Sequence, residues 1–334
     1  MNWEKGYSAN YHLMSIDPVS WSDKSFLRMT GGTVSRSLEE LMQSADIQMT
    51  ENPGEQWVRV YLMADQADGS ERVPIFTGLT SAPQKEMDGV RTSYQVECYS
   101  VLKPCEDKLL PLGYTAWSGD DIGQAILDLL SPTPAPVSID PSPPTLSTPI
   151  VAEGGETYLS MVHKILTAVS WHMRIDGYGR IRVMAESTKP VAMYDRLRAD
   201  AVEPQITKTD DWYACPNCLR VTMQDATAQV RDTSNGILSV PSRGREIWSA
   251  ESVEALPAGY NLGGYAQKRL KELQSPAVTY HFKRRYNPDI YPGDLMRLHY
   301  PDVGVQGIYL SKSQTVTLGY GCETEEEVSV EQEY

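Results

Sequence analysis

The chain of 334 residues is acidic and otherwise ordinary in composition, with 41% hydrophobic residues, 22% charged residues and a formal net charge of −14. This composition excludes an intrinsically disordered or collagen-like chain, and the length allows two or three domains with cores of their own. No stretch approaches the roughly 18 uninterrupted apolar residues of a membrane span. The start, Met1–Lys5, lacks the charged-then-apolar order of a signal peptide, so we expect synthesis in the cytosol.

The aromatic, glycine and proline content favours β-structure. The chain has 19 Tyr and 7 Trp against 3 Phe, together with 24 Gly and 22 Pro. Tyrosine suits half-buried strands, while Gly and Pro mark turns. The acidic balance argues against a nucleic-acid reader, because contact with phosphates needs clustered Lys and Arg. We predict a mainly β fold with minor α content (α+β), without specific nucleic-acid binding and without a membrane partner.

Successive strands are predicted from Ala45 to Ser100. Polar and apolar residues alternate in Trp57–Leu62 and Thr92–Tyr99, and Asp68-Gly69 is a short-turn signal between strands. Strands at this spacing are typical of an antiparallel sandwich or barrel. Just before them, one helix is predicted over Ser37–Met42, with Ser37 as its N-cap.

Two amphipathic helices are predicted after Tyr114. The first begins near Ser118–Asp121, and its apolar face carries Ile122, Ile126, Leu129 and Leu130. Because acidic residues in the first turn complement the helix dipole, we interpret Asp120 and Asp121 as capping rather than catalytic.

The second helix begins at Thr157, and its apolar face carries Leu159, Val162, Leu166 and Val169. His163 lies beside this stripe with no cysteine or carboxylate at ligand spacing. We therefore interpret His163 as a packed side chain rather than a metal ligand or a catalytic residue.

A proline-rich segment and a hairpin flank the second helix. Ser131–Ile150 holds seven of the 22 prolines, which predicts an extended linker or irregular surface segment that cannot enter the centre of a sheet. After the helix, Trp171–Ile175 and Arg180–Val183 flank Asp176-Gly177-Tyr178-Gly179, which is a strong hairpin signal.

The five cysteines do not predict a disulfide framework, because they are scattered and odd in number. Cys215 and Cys218 have the CxxC spacing of a zinc or redox pair, but no second pair supplies the remaining two zinc ligands. Leu219–Met223 alternates like a strand, whereas a redox pair would precede a helix. We interpret the pair as a turn leading into a strand and keep metal binding at Cys215 and Cys218 as the alternative.

The last third returns to strands around one helix at Tyr265–Leu273. Basic residues concentrate on that helix and in Lys283–Arg285, and in so acidic a chain we expect them to form ion pairs. Strands are predicted at Leu295–Tyr300 and Gly307–Leu310. The final stretch, Cys322–Glu333, carries six Glu and no basic residue, and we expect it to be disordered.

No catalytic motif is present: the chain has no GxSxG, no HExxH and no phosphate-binding loop. We therefore predict no enzymatic activity, no catalytic residues, no cofactor and no metal. Two carboxylates brought together by the fold would still suffice for a glycosidase, and that alternative stays open.

The order of the predicted elements resembles the baseplate hub proteins of contractile phage tails, the family of late control protein D-like and prophage tail proteins. The resemblance covers nearly the whole chain and has three characteristic pieces. These pieces are the strand ending in Ile75–Gly78, the stretch Gly155–Trp171 with the Asp176–Gly179 hairpin turn, and Tyr291–Asp294 before a strand. The proline-rich segment, the CxxC pair and the acidic end depart from the family pattern.

The resemblance implies two tube-like antiparallel β-barrels, in residues 1–114 and 201–320, with a middle α/β region in 115–200 and an acidic tail in 321–334. In that family three subunits close into a ring whose six barrels match a hexameric tail tube, while the threefold axis accepts a trimeric spike. The implied partners are two further copies of the chain and the tail tube, central spike, baseplate wedge and tape measure proteins. The implied location is the tail baseplate of a virion or phage-like particle, assembled in the bacterial host cytoplasm.

The charge suggests a role inside such a ring. Acidic residues facing the channel would let DNA pass without binding, because the backbone phosphates would find no cations to neutralise them. The alternative is that acidity only keeps the protein soluble. Two other functions also stay open: a carbohydrate- or receptor-binding tail module with Trp117 or Trp248 as a stacking platform, and a tail-associated cell-wall hydrolase.

Overall fold

The structure is a computed structural model. It describes residues 1–333 except 4, 40, 82, 90, 142, 186–188, 196–201, 211, 214, 225, 254, 255, 257–259 and 275–277.

The N-terminal part is a group of eight antiparallel strands. They are β1 (Ser8–Asp17), β2 (Ser22–Leu27), β3 (Met29–Ser37), β4 (Gln43–Met49), β5 (Trp57–Gln66), β6 (Gly69–Thr80), β7 (Gln84–Asp88) and β8 (Arg91–Ser100). Their order is β2-β1-β5-β6-β8-β4-β3, with β7 alongside part of β8. Alternate residues point into one apolar core that includes Leu13, Ile47, Val60, Phe76 and Val96. The strands predicted from Ala45 to Ser100 are confirmed.

The helix predicted at Ser37–Met42 is wrong. Ser37 is the last residue of β3, and its backbone N–H donates to Met42 O (2.9 Å) across a tight turn into β4. Met42 has a left-handed φ of 62°, which ends the turn and starts the next strand. The segment is too short to stabilise an isolated helix, and the pairing of β3 with β4 closes it into a turn in which Leu38 is exposed while Leu41 and Met42 pack against the middle part. Glu40, within the predicted helix, lies outside the described residues.

The middle part combines short helices with small sheets. It contains α1 (Lys103–Glu106), β9 (Thr115–Ala116), α2 (Ile122–Leu129), β10 (Val137–Ile139), β11 (Ile150–Val151), α3 (Tyr158–Val169), β12 (Trp171–Ile175) and β13 (Ile181–Ala185). The Asp121 side chain accepts from the N–H groups of Gly123 and Gln124, and Thr157 forms a capping box with Ser160. Both predicted helices, the capping role of Asp121 and the β12–β13 hairpin are confirmed.

The proline-rich segment contributes an edge strand. β10 pairs in parallel with β13 in the sheet β10-β13-β12 and has no second neighbour among the described residues. An edge position tolerates nearby prolines because one side of the strand makes no ladder hydrogen bonds. The prediction that this segment stays out of a sheet centre is confirmed, although Leu146 within it is buried in the core of the middle part.

The C-terminal part is a second group of strands with an insertion. The group contains β14 (Ala192–Asp195) and β15 (Val202–Asp210), and the insertion follows with β16 (Cys218–Met223), β17 (Ala226–Arg231), α4 (Val240–Arg243), β18 (Trp248–Ser252) and α5 (Leu262–Gln274). The group then continues with β19 (Val278–Arg285), β20 (Leu295–Tyr300), β21 (Val305–Thr317) and β22 (Glu323–Glu333). Its order is β15-β19-β22-β21-β20-β14, and the insertion packs α5 on its own sheet β17-β16-β18.

One strand pairing joins the two groups. β21 pairs with β22 along one side, and along its other side it pairs first with β20 and then with β3, from Ser313 opposite Ser37 to Thr317 opposite Thr33. The described strands of both groups therefore form a single 14-stranded sheet, and the predicted mainly β (α+β) fold class is confirmed. Closure of two barrels and the ranges 1–114, 115–200, 201–320 and 321–334 stay predictions, and the 200/201 boundary lies outside the described residues. In the described part of the chain, no helix is both long and apolar enough to cross a bilayer.

The disorder expected for the acidic C-terminal end is wrong. Residues Glu323–Glu333 form β22, which pairs with β19 on one side and β21 on the other. Thr324, Glu326 and Val328 alternate into the interior, and Glu325 between them is exposed. A high Glu count hid this alternation, because Glu326 occupies an inward position where an apolar residue is usual.

The hairpin turn of the middle part packs closely against the N-terminal group, and at Gly177 it leaves no room for a side chain. A Cβ at Gly177 would lie 1.9 Å from Pro74 O. We expect Gly177→Ala to lower the free energy of unfolding by about 1–3 kcal/mol through overpacking, measured by chemical denaturation. Gly154→Ala is the matched control, because a Cβ there meets nothing within 4 Å and the change should stay within about 0.5 kcal/mol. Equal effects of the two substitutions would contradict this packing.

Candidate functional surfaces

Two of the three pieces that carry the family resemblance are in direct contact. Thr77 Oγ1, in the piece Ile75–Gly78, donates to Gly177 O (2.8 Å) in the hairpin turn. Next to it, Tyr178 O accepts from Trp21 Nε1 (2.9 Å) and Arg59 Nη2 (3.1 Å). These bonds attach the middle part to the N-terminal group.

Arg36 links the N-terminal group to the C-terminal one. Its side chain is only 3% exposed, and Nη2 donates to Ile75 O and to Tyr286 Oη (3.2 Å). The guanidinium carbon lies 4.7 Å from the ring centre of Tyr291 and 5.5 Å from that of Tyr286, both in cation–π range. Burial raises the pKa of Tyr286 to about 12, so its hydroxyl is neutral at physiological pH.

Arg174 and Asp294 link the middle part to the C-terminal group. Arg174 Nη2, on β12, binds Asp294 Oδ1, and Asp294 Oδ2 accepts from the Tyr291 backbone N–H (2.9 Å). Asp294 is almost completely buried, whereas Arg174 is partly open. The Arg174 guanidinium also lies 5.2 Å from the Tyr291 ring centre, so Tyr291 stands between Arg174 and Arg36. We call the residues Arg36, Arg174, Tyr286, Tyr291 and Asp294 the junction.

A buried polar row continues from Arg36 across the interior of the C-terminal group. Gln314 on β21 lies opposite Arg36, and Glu326 on β22 lies opposite Gln314. Glu326 accepts from Arg284 Nε (3.0 Å), Ser311 Oγ and Gln314 Nε2 (3.4 Å). Because Arg284 and Glu326 are both fully buried, each depends on the other for its charge balance.

The predicted ion pairing of the basic residues is confirmed. Lys283 pairs with Glu323 (2.7 Å), Arg269 with Glu251 (3.0 Å) and Lys268 with Glu272 (3.6 Å). Two of these pairs, those of Arg269 and Lys268, involve helix α5.

The side of β22 opposite Glu326 is an acidic face, made of Glu323, Glu325 and Glu327. These residues are two apart and therefore share one side of the strand. Lys283 offsets Glu323, and Ser313 Oγ donates to Glu327 (2.8 Å). Glu325 at the centre is exposed.

The other residues singled out from the sequence lie outside the junction. Asp120 Oδ2 accepts from the Trp117 N–H (3.1 Å) at the start of α2, and His163 is half-buried on α3. Trp117 is 60% and Trp248 39% exposed. Trp248 Nε1 donates to Glu246, and Arg231 lies 5.0 Å from its ring centre.

Cys215 and Cys218 form the turn and strand start that their sequence context predicts. Cys218 opens β16, and the Cys215 N–H donates to Trp212 O (3.3 Å) in the preceding turn. Cys215 Sγ donates to Leu273 O (3.5 Å), and burial raises the pKa of Cys218. Within the described ranges, no three His, Cys, Asp or Glu side chains are grouped so as to hold a metal ion.

Sequence reasoning missed the junction. One signal for it was available: Val34 and Arg36 are two apart on a strand, so a charged side chain points to the same interior as a fully buried valine. The aromatic partners of Arg36, Tyr286 and Tyr291, are about 250 residues away in sequence, and no local pattern identifies them.

Comparison with solved structures shows this fold in tail proteins. A tail protein from Neisseria meningitidis MC58 is 15% identical with a TM-score of 0.72, and the 43 kDa tail protein of prophage MuSo2 from Shewanella oneidensis is 13% identical with a TM-score of 0.65; each match covers 97% of both chains. The E. coli c3393 protein, a component of the type VI secretion system, is 10% identical with a TM-score of 0.52, over 90% of this chain and 74% of that one. No protein-family model and no curated protein matches this sequence. The resemblance to phage tail proteins drawn from the sequence is confirmed in the fold.

The Arg174–Asp294 pair should contribute to stability more than a surface pair does. Asp294→Asn keeps an acceptor for the Tyr291 N–H but leaves the Arg174 charge without its carboxylate. We expect a loss of about 3 kcal/mol in the free energy of unfolding. Asp140→Asn, which breaks the more exposed pair with Arg182, is the control and should cost at most about 1 kcal/mol. A cost for Asp294→Asn as small as that of the control would refute a structural role for the pair.

His172 should make the protein less stable in weak acid. Burial, and next the nearby Arg174 charge, lower the pKa of His172 below its ordinary 6.5. The unfolded chain therefore binds a proton at His172 before the folded chain does, and this part of the stability is complete above pH 6.5 and declines as the pH falls below it. His172→Gln should flatten the decline in unfolding free energy between pH 7 and about 5.5, whereas His299→Gln, at an exposed position on β20, serves as the control. Parallel pH profiles for His172→Gln and the unsubstituted protein would contradict the assignment.

Proposed function

We propose that this chain is a structural, non-enzymatic hub of a phage or phage-like contractile tail. The observation that carries the proposal is the fold match to two tail proteins over 97% of both chains, because it includes all three parts of the molecule in one arrangement. A shared module alone would match one part only. The hub function goes beyond the shared fold and is tested below.

In the proposed hub, three copies form a ring around a central channel. Each copy would supply two β-barrels, in residues 1–114 and 201–320, so that the ring offers six barrels to a hexameric tail tube and threefold symmetry to the spike. Closed cyclic assembly is required, because an open head-to-tail contact would extend into a filament. The β3–β21 pairing supports this arrangement, since it holds the two strand groups of one chain in a defined register.

The proposed partners are the tail tube, central spike, baseplate wedge and tape measure proteins. The proposed location is the tail baseplate, after synthesis and assembly in the host cytoplasm. Of the similar structures, the E. coli c3393 protein is described as similar to bacteriophage tail proteins gp27 and gp5. That description supports placing this chain in a phage-like tail.

We further propose that the acidic face of β22 lines the channel. Glu325 is exposed at its centre, and neighbouring chains in a ring would repeat the same face around the axis. Carboxylates do not neutralise phosphates, so DNA would pass without being held.

A carbohydrate-binding tail module is the second candidate, and the exposure of Trp117 favours it. An exposed indole face is a surface on which a sugar ring stacks. Titration with cell-wall glycans separates the two candidates: binding that disappears in Trp117→Ala would favour the module over the hub. Zymography on peptidoglycan tests the third possibility, a cell-wall hydrolase.

The hub proposal predicts the mass and symmetry of the purified assembly. Native mass spectrometry should show a species of three chains, and electron microscopy should show a ring with six barrels around one channel. The same map tests the channel lining, because Glu325 should face the bore. A stable monomer, a ring of another multiplicity or one barrel per chain would refute the hub, whereas a ring with Glu325 outside would refute only the lining.

A further inference from the structure

A recess opens to solvent at the junction, where the three parts of the molecule meet. Its enclosed volume is about 20 Å³, room for one group the size of a water molecule, and its walls include Arg36, Arg174, Tyr291, Pro292, Ser37 and Met42. Two guanidinium groups and one aromatic ring therefore line the same small space. The recess involves residues from β3, β12 and the loop before β20.

Arg36 carries a charge that no described carboxylate balances. Its Nε and Nη1 atoms are buried and have no hydrogen-bond acceptor, and it forms no ion pair with the described residues. Arg174 is paired with Asp294, yet its Nε also lacks an acceptor. Buried cations in proteins are normally paired, so an unpaired one on the wall of a recess favours the binding of an anion there.

The local charge count gives the charge that a bound anion would balance. Around the junction and the buried polar row, the three cations Arg36, Arg174 and Arg284 face the two anions Asp294 and Glu326. One positive charge remains, on Arg36. A monoanion balances it, whereas a phosphate dianion would leave a buried negative charge in excess.

We propose that the recess binds a single carboxylate group, held by Arg36 and Arg174 beside the Tyr291 ring. A carboxylate has the required single charge and planar oxygens that match guanidinium donors. Because the walls come from all three parts of the chain, the bound carboxylate stabilises the junction itself. The carboxylate belongs either to a free small acid or to an Asp or Glu side chain of another polypeptide. This site does not depend on the proposed hub function.

The experiment uses the full chain and three probes: acetate, N-acetylglutamate α-amide and inorganic phosphate. Each replaces sodium chloride stepwise at constant ionic strength and pH 8, and the thermal unfolding midpoint is followed. The midpoint should rise with acetate concentration, because a ligand that binds only the folded state stabilises it. A larger rise with the glutamate amide than with acetate assigns the site to a protein side chain, and the reverse assigns it to a free acid. No rise with either carboxylate, or an equal rise with phosphate, overturns the proposal.

Variants locate the binding. Arg36→Gln should abolish the acetate response, whereas Arg182→Gln, a more exposed arginine outside the recess, should keep it. If Arg36→Gln fails to fold, Ser37→Trp fills the recess from its rim and should abolish the response with Arg36 intact. Saturation-transfer NMR on the unsubstituted protein gives a measurement free of variants: the acetate methyl signal should show transfer that Ser37→Trp removes. An acetate response that persists in Ser37→Trp places binding elsewhere and overturns the site.

Discussion

The structure depends on the pairing of β3 with β21. Each strand already has a partner on its other side, and a backbone row left open on either would be an unpaired edge inside the molecule. The pairing brings residues 33–37 against 313–317, so the chain closes on itself across nearly its whole length. The core of the N-terminal group consequently includes Tyr286, Val316 and Leu318 from the C-terminal part. The N-terminal group therefore does not complete its core alone.

Arg36 lies on β3 within this pairing, and its burial makes the register of β3 against β21 specific. An apolar side chain at the same position would pack against Tyr286 and Tyr291 without distinguishing one register from another. A guanidinium has to find Ile75 O and Tyr286 Oη, and a shift of β3 by one residue would turn it to the other side of the sheet. The same reasoning applies to Arg174 and Asp294 between the middle and C-terminal parts. Buried charges thus select the relative placement of parts whose apolar contacts alone would tolerate alternatives.

Local features were predictable from the sequence, and distant ones were not. Asp121, Thr157 and the Asp176–Gly179 turn act within a few residues of themselves, so their patterns are complete in the sequence. The Ser37–Met42 segment has a helical pattern as well, but it connects β3 to β4. The pairing of β3 with β4 and with β21 decides its structure. Glu326 illustrates the same limit: six Glu in one segment suggest disorder, and only Arg284, 42 residues away, explains why one of them is buried.

The positions of the acidic side chains in the fold decide how much of the net charge of −14 appears at the protein surface. Glu326 pairs with the buried Arg284, Asp294 with the partly open Arg174 and Glu323 with Lys283, so these carboxylates contribute little to the surface potential. Glu325 remains exposed between them, on the outer side of a strand whose inner side carries the polar row. β22 therefore carries both the buried Glu326 of the polar row and the exposed Glu325 of the acidic face. In the proposed ring, a contact that repositions β22 would therefore move the exposed Glu325 together with the buried Glu326 and its ion pair with Arg284.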